Sequence, residues 1–201
     1  FYSPKIYGEL KKVFTDKLNY YSKQNIKINN FDNKKLHQIL TRLRKSHPKK
    51  FSHFYDSLQE CNALNKIFIN KKLENLVSYL INTKTFGLSI SGKMLRMDSY
   101  FDNKSSYDWH QDYPYYLQNK SPSNGCVVFL PLQNIQIKNG ALEIIKSSQK
   151  NNISKHYVEK KTKRLLIKND KKMQNKKTTF LEYNIGDVAI MHLGLIHRSG
   201  K

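Results

Sequence analysis

The sequence is poor in several features that would define a class of protein. Its 201 residues include only two cysteines, which lie far apart and show no Cys-x-x-Cys or Cys/His spacing. This argues against a disulfide framework and against a zinc finger. No apolar run approaches the about 20 residues that cross a bilayer, and no charged-then-apolar segment opens the chain. We therefore expect a cytoplasmic protein without a membrane span.

Acidic residues are also scarce, because 15 Asp and Glu stand against 36 Lys and Arg, for a net charge of +21. Such a charge suggests a nucleic acid or another polyanion as partner. The cations are mostly lysines scattered over the whole length, however, with no arginine-rich stripe among aromatics. We attribute the charge to residue usage and do not expect a nucleic-acid partner, although an anionic small substrate is compatible with it. A basic module that binds polyanions is the alternative from another functional class.

The hydrophobic content of 38% and the aromatic content of 12% are enough for one folded domain. In residues 1–84 apolar side chains recur at helical spacing, which predicts helices starting at Ser3 and covering 34–45, 48–61 and 71–81. Residues 146–177 are strongly basic and are predicted to be mostly an exposed excursion.

In residues 85–201 short apolar runs alternate with turn formers, and these runs predict strands. The predicted strands are Phe86–Ile90, Lys93–Met97, Cys126–Leu132, Ala141–Ile145, Arg164–Ile167, Thr178–Tyr183 and Asp187–Met191. Strands without intervening helices favour an antiparallel sandwich or barrel, of which the jelly roll is one form. We expect a mostly β protein of the α+β class, with the helical region 1–84 packed on a sheet formed by 85–201.

The segment Trp109-His110-Gln111-Asp112 is the most informative part of the sequence. Side chains alternate in an extended strand, so His110 and Asp112 would point the same way and could bind one ion together. With a distant second histidine they would form the two-His-one-carboxylate triad of non-haem iron(II) oxygenases, which leaves coordination positions open. Trp109 beside them is interpreted as a core aromatic.

The second histidine has two candidates, His192 and His197. They are separated by an odd number of positions, so an unbroken strand would place them on opposite faces and only one would reach the metal. A bulge at Gly194 would change this parity. Spacing alone therefore leaves the choice open.

Three motifs together resemble the phytanoyl-CoA dioxygenase family. They are WHQDYPY at 109–115, NGALEII at 139–145, and GDV at 186–188 leading to LIHRSG at 195–200. They occur in the family's order with comparable separations, and the resemblance covers roughly Leu95 to Lys201.

The resemblance implies a double-stranded β-helix, a jelly roll of the cupin type. It also implies an Fe(II)- and 2-oxoglutarate-dependent oxygenase in which His110, Asp112 and His197 bind the iron and 2-oxoglutarate chelates it. His192 then falls at a position that is not a ligand. Ser199 matches a serine that helps to hold the cosubstrate. We expect hydroxylation of a C–H bond of a small or lipid-like substrate by dioxygen.

Carboxylate recognition is the least determined part of this hypothesis. The family's arginine for the far carboxylate of 2-oxoglutarate lies on the strand after the distal histidine, whereas the sequence stops at Lys201. We expect either a chain that continues further or a relative with weak cosubstrate affinity. Arg96 is a candidate for pairing a carboxylate, with a surface position as the alternative. A metal-binding protein of the cupin type that uses no 2-oxoglutarate is the remaining functional alternative.

Overall fold

The structure is a computed structural model that describes residues 3–89, 92–99, 106–116, 118–168 and 171–200. The chain divides into two compact units, Phe1–Arg96 and Met97–Lys201. The first contains the long helices and the second contains the strands, so the protein is of mixed α+β class. Among the helices in the described ranges, none combines the length and the apolar character required to span a bilayer.

The described part of the first unit contains five helices, and several begin where a side chain can accept a backbone N–H. The side chains of Ser3, Asn33 and Asn70 each cap a helix in this way. Four helices were predicted and are confirmed, whereas the fourth in chain order is too short to show a periodic pattern. The helices are α1 Pro4–Ser22, α2 Lys34–Ser46, α3 Pro48–Gln59, α4 Asn62–Phe68 and α5 Lys71–Leu80.

The core of the helical unit consists of apolar side chains at helical spacing. Leu10, Phe14 and Leu18 of α1 are buried, as are Phe54 and Leu58 of α3. The ring of Phe14 packs edge-on against that of Phe54, with 5.3 Å between the ring centroids. Edge-to-face pairs of this kind add to the stabilisation that comes from burial alone.

The two strands predicted before residue 98 are wrong. At Lys93–Met97 the backbone pairs with a side chain instead of a strand: Leu95 N–H donates to Gln59 Oε1 at 2.8 Å, and Gln59 Nε2 donates to the Leu95 carbonyl at 3.2 Å. In Phe86–Ile90, the described residues 86–89 pair with none of the described strands, and Ile90 lies outside the described residues.

The described residues of the second unit form strands at the other five predicted positions, with shorter spans, and two further strands that were not predicted. The strands are β1 Cys126–Phe129, β2 Leu142–Ile145, β3 His156–Val158, β4 Leu165–Ile167, β5 Thr178–Leu181, β6 Ala189–His192 and β7 His197–Arg198. β3 and β7 have only three and two residues, too few to show an alternating pattern.

The strands pair in antiparallel fashion within the described residues. β1 pairs with β6, β3 pairs with β4, and β2 lies between β5 and β7. The described strands thus form three small sheets, and a closed jelly roll is not shown among them. The order β5-β2-β7 is what matters for the site, because it places β7 beside a strand with four buried residues.

The basic stretch 146–177 is more ordered than predicted. It contains the β3–β4 hairpin and a short helix, α6 Lys171–Gln174, and it contributes Ile167 and Met173 to the core. These two residues pack in one buried cluster with Trp109, Ile145 and Ile196. Arg164–Ile167 was predicted as the ordered part of this stretch, whereas β3 and the short helix were not predicted.

The helical core predicts a contrast between two leucines. Leu58→Ala removes a side chain that is 0% exposed, whereas Leu80→Ala trims one that is 52% exposed. We expect the first substitution to lower the free energy of unfolding by about 2–5 kcal/mol. The second should change it by less than about 0.5 kcal/mol. Urea unfolding followed by circular dichroism at the helix band measures both, and equal effects would contradict this core.

Candidate metal centre

The two histidines of the site are held side by side by the backbone. His110 N–H donates to the His197 carbonyl at 3.0 Å, and His197 N–H donates to the His110 carbonyl at 3.0 Å. On its other edge β7 pairs with β2, in the register Ile144↔His197. His197 therefore lies between two hydrogen-bonded neighbours, and its ring centroid is 4.2 Å from that of His110.

Asp112 reaches the same point by a turn and not by strand alternation. It adopts a helical conformation (φ −76°, ψ −26°) and precedes a single 3-10 turn, Tyr113–Tyr115. Tyr113 N–H donates to the Leu193 carbonyl at 3.0 Å, which fixes the turn against the segment before β7. The predicted extended conformation across residues 110–112 is thus wrong, although the two side chains converge as expected.

The three side chains form a compact set of possible metal ligands. His110 Nε2 lies 3.8 Å from Asp112 Oδ1, and His197 Nε2 lies 3.6 Å from Asp112 Oδ2. One ligand atom from each residue falls within 4.8 Å of the others. The side chains are largely shielded, with exposed fractions of 8% for His110, 15% for Asp112 and 6% for His197.

The hydrogen bonds of Nδ1 in both site histidines show that this set of side chains fits a metal ion. His110 Nδ1 lies 2.8 Å from the Asp108 carbonyl, and His197 Nδ1 lies 3.0 Å from the Leu195 carbonyl. Because a carbonyl oxygen can only accept, each Nδ1 must carry the hydrogen, and each Nε2 of the neutral ring then presents a lone pair. Two lone pairs and a carboxylate facing one another favour a cation between them, and ligating histidines use their second nitrogen in this way.

Gln111, between two of these residues, fixes the shape of the turn. Its side chain is fully buried. Gln111 Nε2 donates to the Gly194 carbonyl at 2.7 Å, and Gln111 Oε1 accepts from Ser154 N–H at 2.8 Å. Its backbone N–H donates to His156 Nε2 at 3.2 Å. Burial lowers the pKa of His156, which favours the neutral ring that can accept this hydrogen bond.

Two tyrosines lie near the triad, and a cation packs on the ring of one of them. The Tyr107 ring centroid is 5.0 Å from that of His110, and the Arg164 guanidinium lies 3.9 Å from the centre of the Tyr107 ring. Burial raises the pKa of Tyr116, and the negative charge of Asp112 raises it further. The surroundings of the triad thus combine a neutral phenol with a positive charge.

The remaining predicted residues have different positions. Ser199 is buried, and its Oγ accepts from Tyr107 N–H at 3.0 Å. Arg96 is half-buried and ends the first compact unit, so its contact with a carboxylate stays a prediction. His192 is outside the triad: its Nδ1 accepts from Gly194 N–H at 2.9 Å and its Nε2 lies 3.2 Å from Ser123 Oγ. The parity argument for His192 and His197 did not apply, because residues 193–196 leave the strand between them.

Sequence reasoning did not single out three polar residues that lie beside the site residues in the chain or on the next strand, namely Gln111, Glu143 and Arg198. Glu143 is buried, and its carboxylate accepts from Arg198 Nε at 2.6 Å. A signal was present, since Glu143 is the one acidic residue within the apolar run Leu142–Ile145. A charge at such a position calls for a buried partner of opposite sign.

Comparison with known proteins defines the family. The family model described as phytanoyl-CoA dioxygenase (PhyH) matches residues 1–201, the whole chain. This chain therefore belongs to the phytanoyl-CoA dioxygenase family, as its motifs predicted. The membership implies an oxygenase with a small-molecule substrate and with Fe(II) and 2-oxoglutarate as the family's metal and cosubstrate. No curated protein and no solved structure matches the chain.

The carbonyl contacts predict the tautomers of both site histidines. We expect His110 and His197 of the metal-free protein to carry their hydrogen on Nδ1 at neutral pH. Long-range proton–nitrogen NMR spectra of the ring nitrogens distinguish the two tautomers. His192 is the internal control, because its Nδ1 accepts a hydrogen bond and its hydrogen must lie on Nε2. An Nε2–H form of either site histidine would contradict the proposed ligand geometry.

Proposed function

We propose that this protein is an Fe(II)- and 2-oxoglutarate-dependent dioxygenase that hydroxylates a C–H bond. The observation that carries the proposal is the convergence of His110, Asp112 and His197, with both Nε2 atoms facing the carboxylate. This donor set suits iron(II), since two imidazoles and one carboxylate on one side of the ion leave positions for other ligands. Retention of Asp112 favours hydroxylation over halogenation.

The residues of the chain would orient and shield the reacting groups. The Asp108 and Leu195 carbonyls hold the imidazoles in the ligating tautomer, and the Gln111 side chain keeps Asp112 in its turn. Ile144, the cross-strand neighbour of His197, belongs to a buried cluster with Leu142, Met191 and Leu195, and this cluster limits water on the imidazole side of β7. Bound iron with 2-oxoglutarate supplies oxygen activation, in which the cosubstrate is converted to succinate and carbon dioxide while one oxygen atom enters the substrate.

Two residues remain candidates for holding the cosubstrate. Ser199 Oγ accepts the Tyr107 N–H, and a hydroxyl also has a hydrogen of its own that can be donated to a carboxylate. Arg96 has the planar fork that suits a carboxylate. Ser199→Ala and Arg96→Gln should each raise the 2-oxoglutarate concentration needed for half-maximal turnover.

We propose a small or lipid-like substrate, and an anionic group on it is compatible with a chain that carries 36 Lys and Arg against 15 Asp and Glu. Arg164 places a positive charge against the ring of Tyr107, whose centroid lies 5.0 Å from that of His110. A double-stranded β-helix for the catalytic region and a cytoplasmic location belong to the same proposal. Both cysteines, Cys61 and Cys126, are free thiols, in keeping with a reducing compartment.

Removal of the carboxylate tests the metal assignment directly. Wild-type protein should bind one Fe(II) per chain and consume 2-oxoglutarate, and Asp112→Ala should lose both, because a ligand of the ion is gone. Asp56→Ala is the matched control, since Asp56 is an exposed aspartate of α3. Metal analysis after desalting and succinate formation give the two measurements. Tight iron binding by the Asp112→Ala protein would refute the assignment.

An anaerobic titration with iron and then 2-oxoglutarate separates the proposed function from its alternatives. An oxygenase should develop the charge-transfer absorption of the iron chelate on addition of 2-oxoglutarate. A metal protein of the cupin type would bind iron without this absorption. A polyanion-binding module would instead show salt-dependent binding to nucleic acid that survives His110→Ala.

A further inference from the structure

We propose that Arg198 is a positioning residue of the metal centre, acting together with Glu143 and Trp109. This rests on the proposed metal-binding function and adds to it a group that does not itself contact the metal. Arg198 follows His197 directly on β7, and Trp109 directly precedes His110. Because neighbouring residues of an extended chain point to opposite faces, Arg198 and Trp109 lie on the side away from the two imidazoles.

The guanidinium of Arg198 connects three segments of the second unit. Its Nε donates to Glu143 Oε2 of β2 at 2.6 Å, in the cross-strand register Glu143↔Arg198. Its central carbon lies 4.4 Å from the centre of the Trp109 ring. Its Nη1 lies 3.7 Å from Asp108 Oδ1. One side chain of the His197 strand thus contacts β2 and both residues that precede His110.

The contact with residues 108 and 109 explains why the imidazole of His110 would depend on Arg198. The Asp108 carbonyl accepts the His110 Nδ1 hydrogen, so the orientation of that ring follows the position of the Asp108 backbone. Asp108 Oδ1 also accepts the Trp109 N–H at 2.9 Å, which ties the Asp108 side chain to the backbone of the next residue. Arg198 contacts Asp108 through the carboxylate and Trp109 through the ring, and these two contacts restrain the backbone that precedes His110.

Solvent exposure separates the stronger contacts of Arg198 from the weaker one. The side chains of Glu143 and Arg198 are 9% and 20% exposed, whereas that of Asp108 is 44% exposed. The contact with Asp108 is therefore screened by solvent, and the Glu143 bond and the Trp109 ring carry the positioning. Both depend on a planar cation, since Lys offers no flat face to the indole and no directed fork to the carboxylate.

The test measures cobalt(II) affinity of the full metal-free chain, with cobalt(II) as a probe that needs no oxygen or cosubstrate. The first variant is Arg198→Lys, which keeps the charge beside Glu143 and removes the planar group. The matched control is Arg44→Lys, because the Arg44 guanidinium lies 5.0 Å from the Phe51 ring centre in the helical unit. Circular dichroism and thermal unfolding of each metal-free protein report on folding separately.

We expect Arg198→Lys to weaken cobalt(II) binding by about tenfold, the lower end of the effect of groups that orient metal ligands. Arg44→Lys should leave the dissociation constant unchanged. The long-range NMR signal of the His110 ring should also shift in the metal-free Arg198→Lys protein. A purely structural arginine would lower the unfolding temperature without changing the affinity of the folded protein or the His110 signal, and that result would overturn the proposal.

A second variant guards against loss of folding. The double substitution Glu143→Gln with Arg198→Gln removes both charges, so no unpaired charge is left in the core. It should fold and bind cobalt(II) more weakly than the wild type, and wild-type affinity would overturn the proposal. Absence of saturable cobalt(II) binding by the wild-type protein would instead overturn the metal centre itself. The two failures are therefore distinguishable.

Discussion

The reciprocal backbone hydrogen bonds between His110 and His197 are the constraint on which the site depends. They join two segments distant in sequence and set two imidazoles next to each other. Neighbouring bonds keep this pair in register, since Ile167 N–H donates to the Trp109 carbonyl at 2.7 Å and β7 is paired with β2. Two hydrogen bonds alone would add little to stability. Within a buried cluster, however, a backbone that is already paired has few other conformations that satisfy its polar groups. These backbone pairings therefore determine the positions of the two imidazoles.

The same framework shows how a strongly basic chain uses the acids that it buries. Asp112 lies between two imidazole nitrogens, and Glu143 accepts from Arg198 on the next strand. Buried carboxylates are costly unless positive charge or hydrogen-bond donors compensate for them. Glu143 thus lies beside a cation of the next strand, and Asp112 belongs to a set of donors that suits a metal ion. Most lysines of the described residues are exposed.

The sequence predicted what depends on repeating patterns and on motifs. Apolar residues at helical spacing located four helices of the first unit, and the motif around His110 located two of the three side chains that converge as possible metal ligands. It did not predict features that depend on single tertiary contacts. Leu95 pairs with the Gln59 side chain, which replaced a strand that its apolar neighbours suggested. Asp112 reaches the triad through a turn held by Leu193, a contact between segments that no local pattern encodes.

The separation of the paired segments has a consequence for how the protein responds to metal supply. Tyr107 and Ser199, which bond to each other beside the triad, are 92 positions apart. An unfolded chain would rarely bring such segments together, because closing a long loop costs conformational entropy. A ligand that recognises only the assembled pair adds to the stability of the native state by mass action. At the proposed iron site, scarcity of the metal would then shorten the lifetime of the protein and lower its activity, which would couple its abundance to the metal pool.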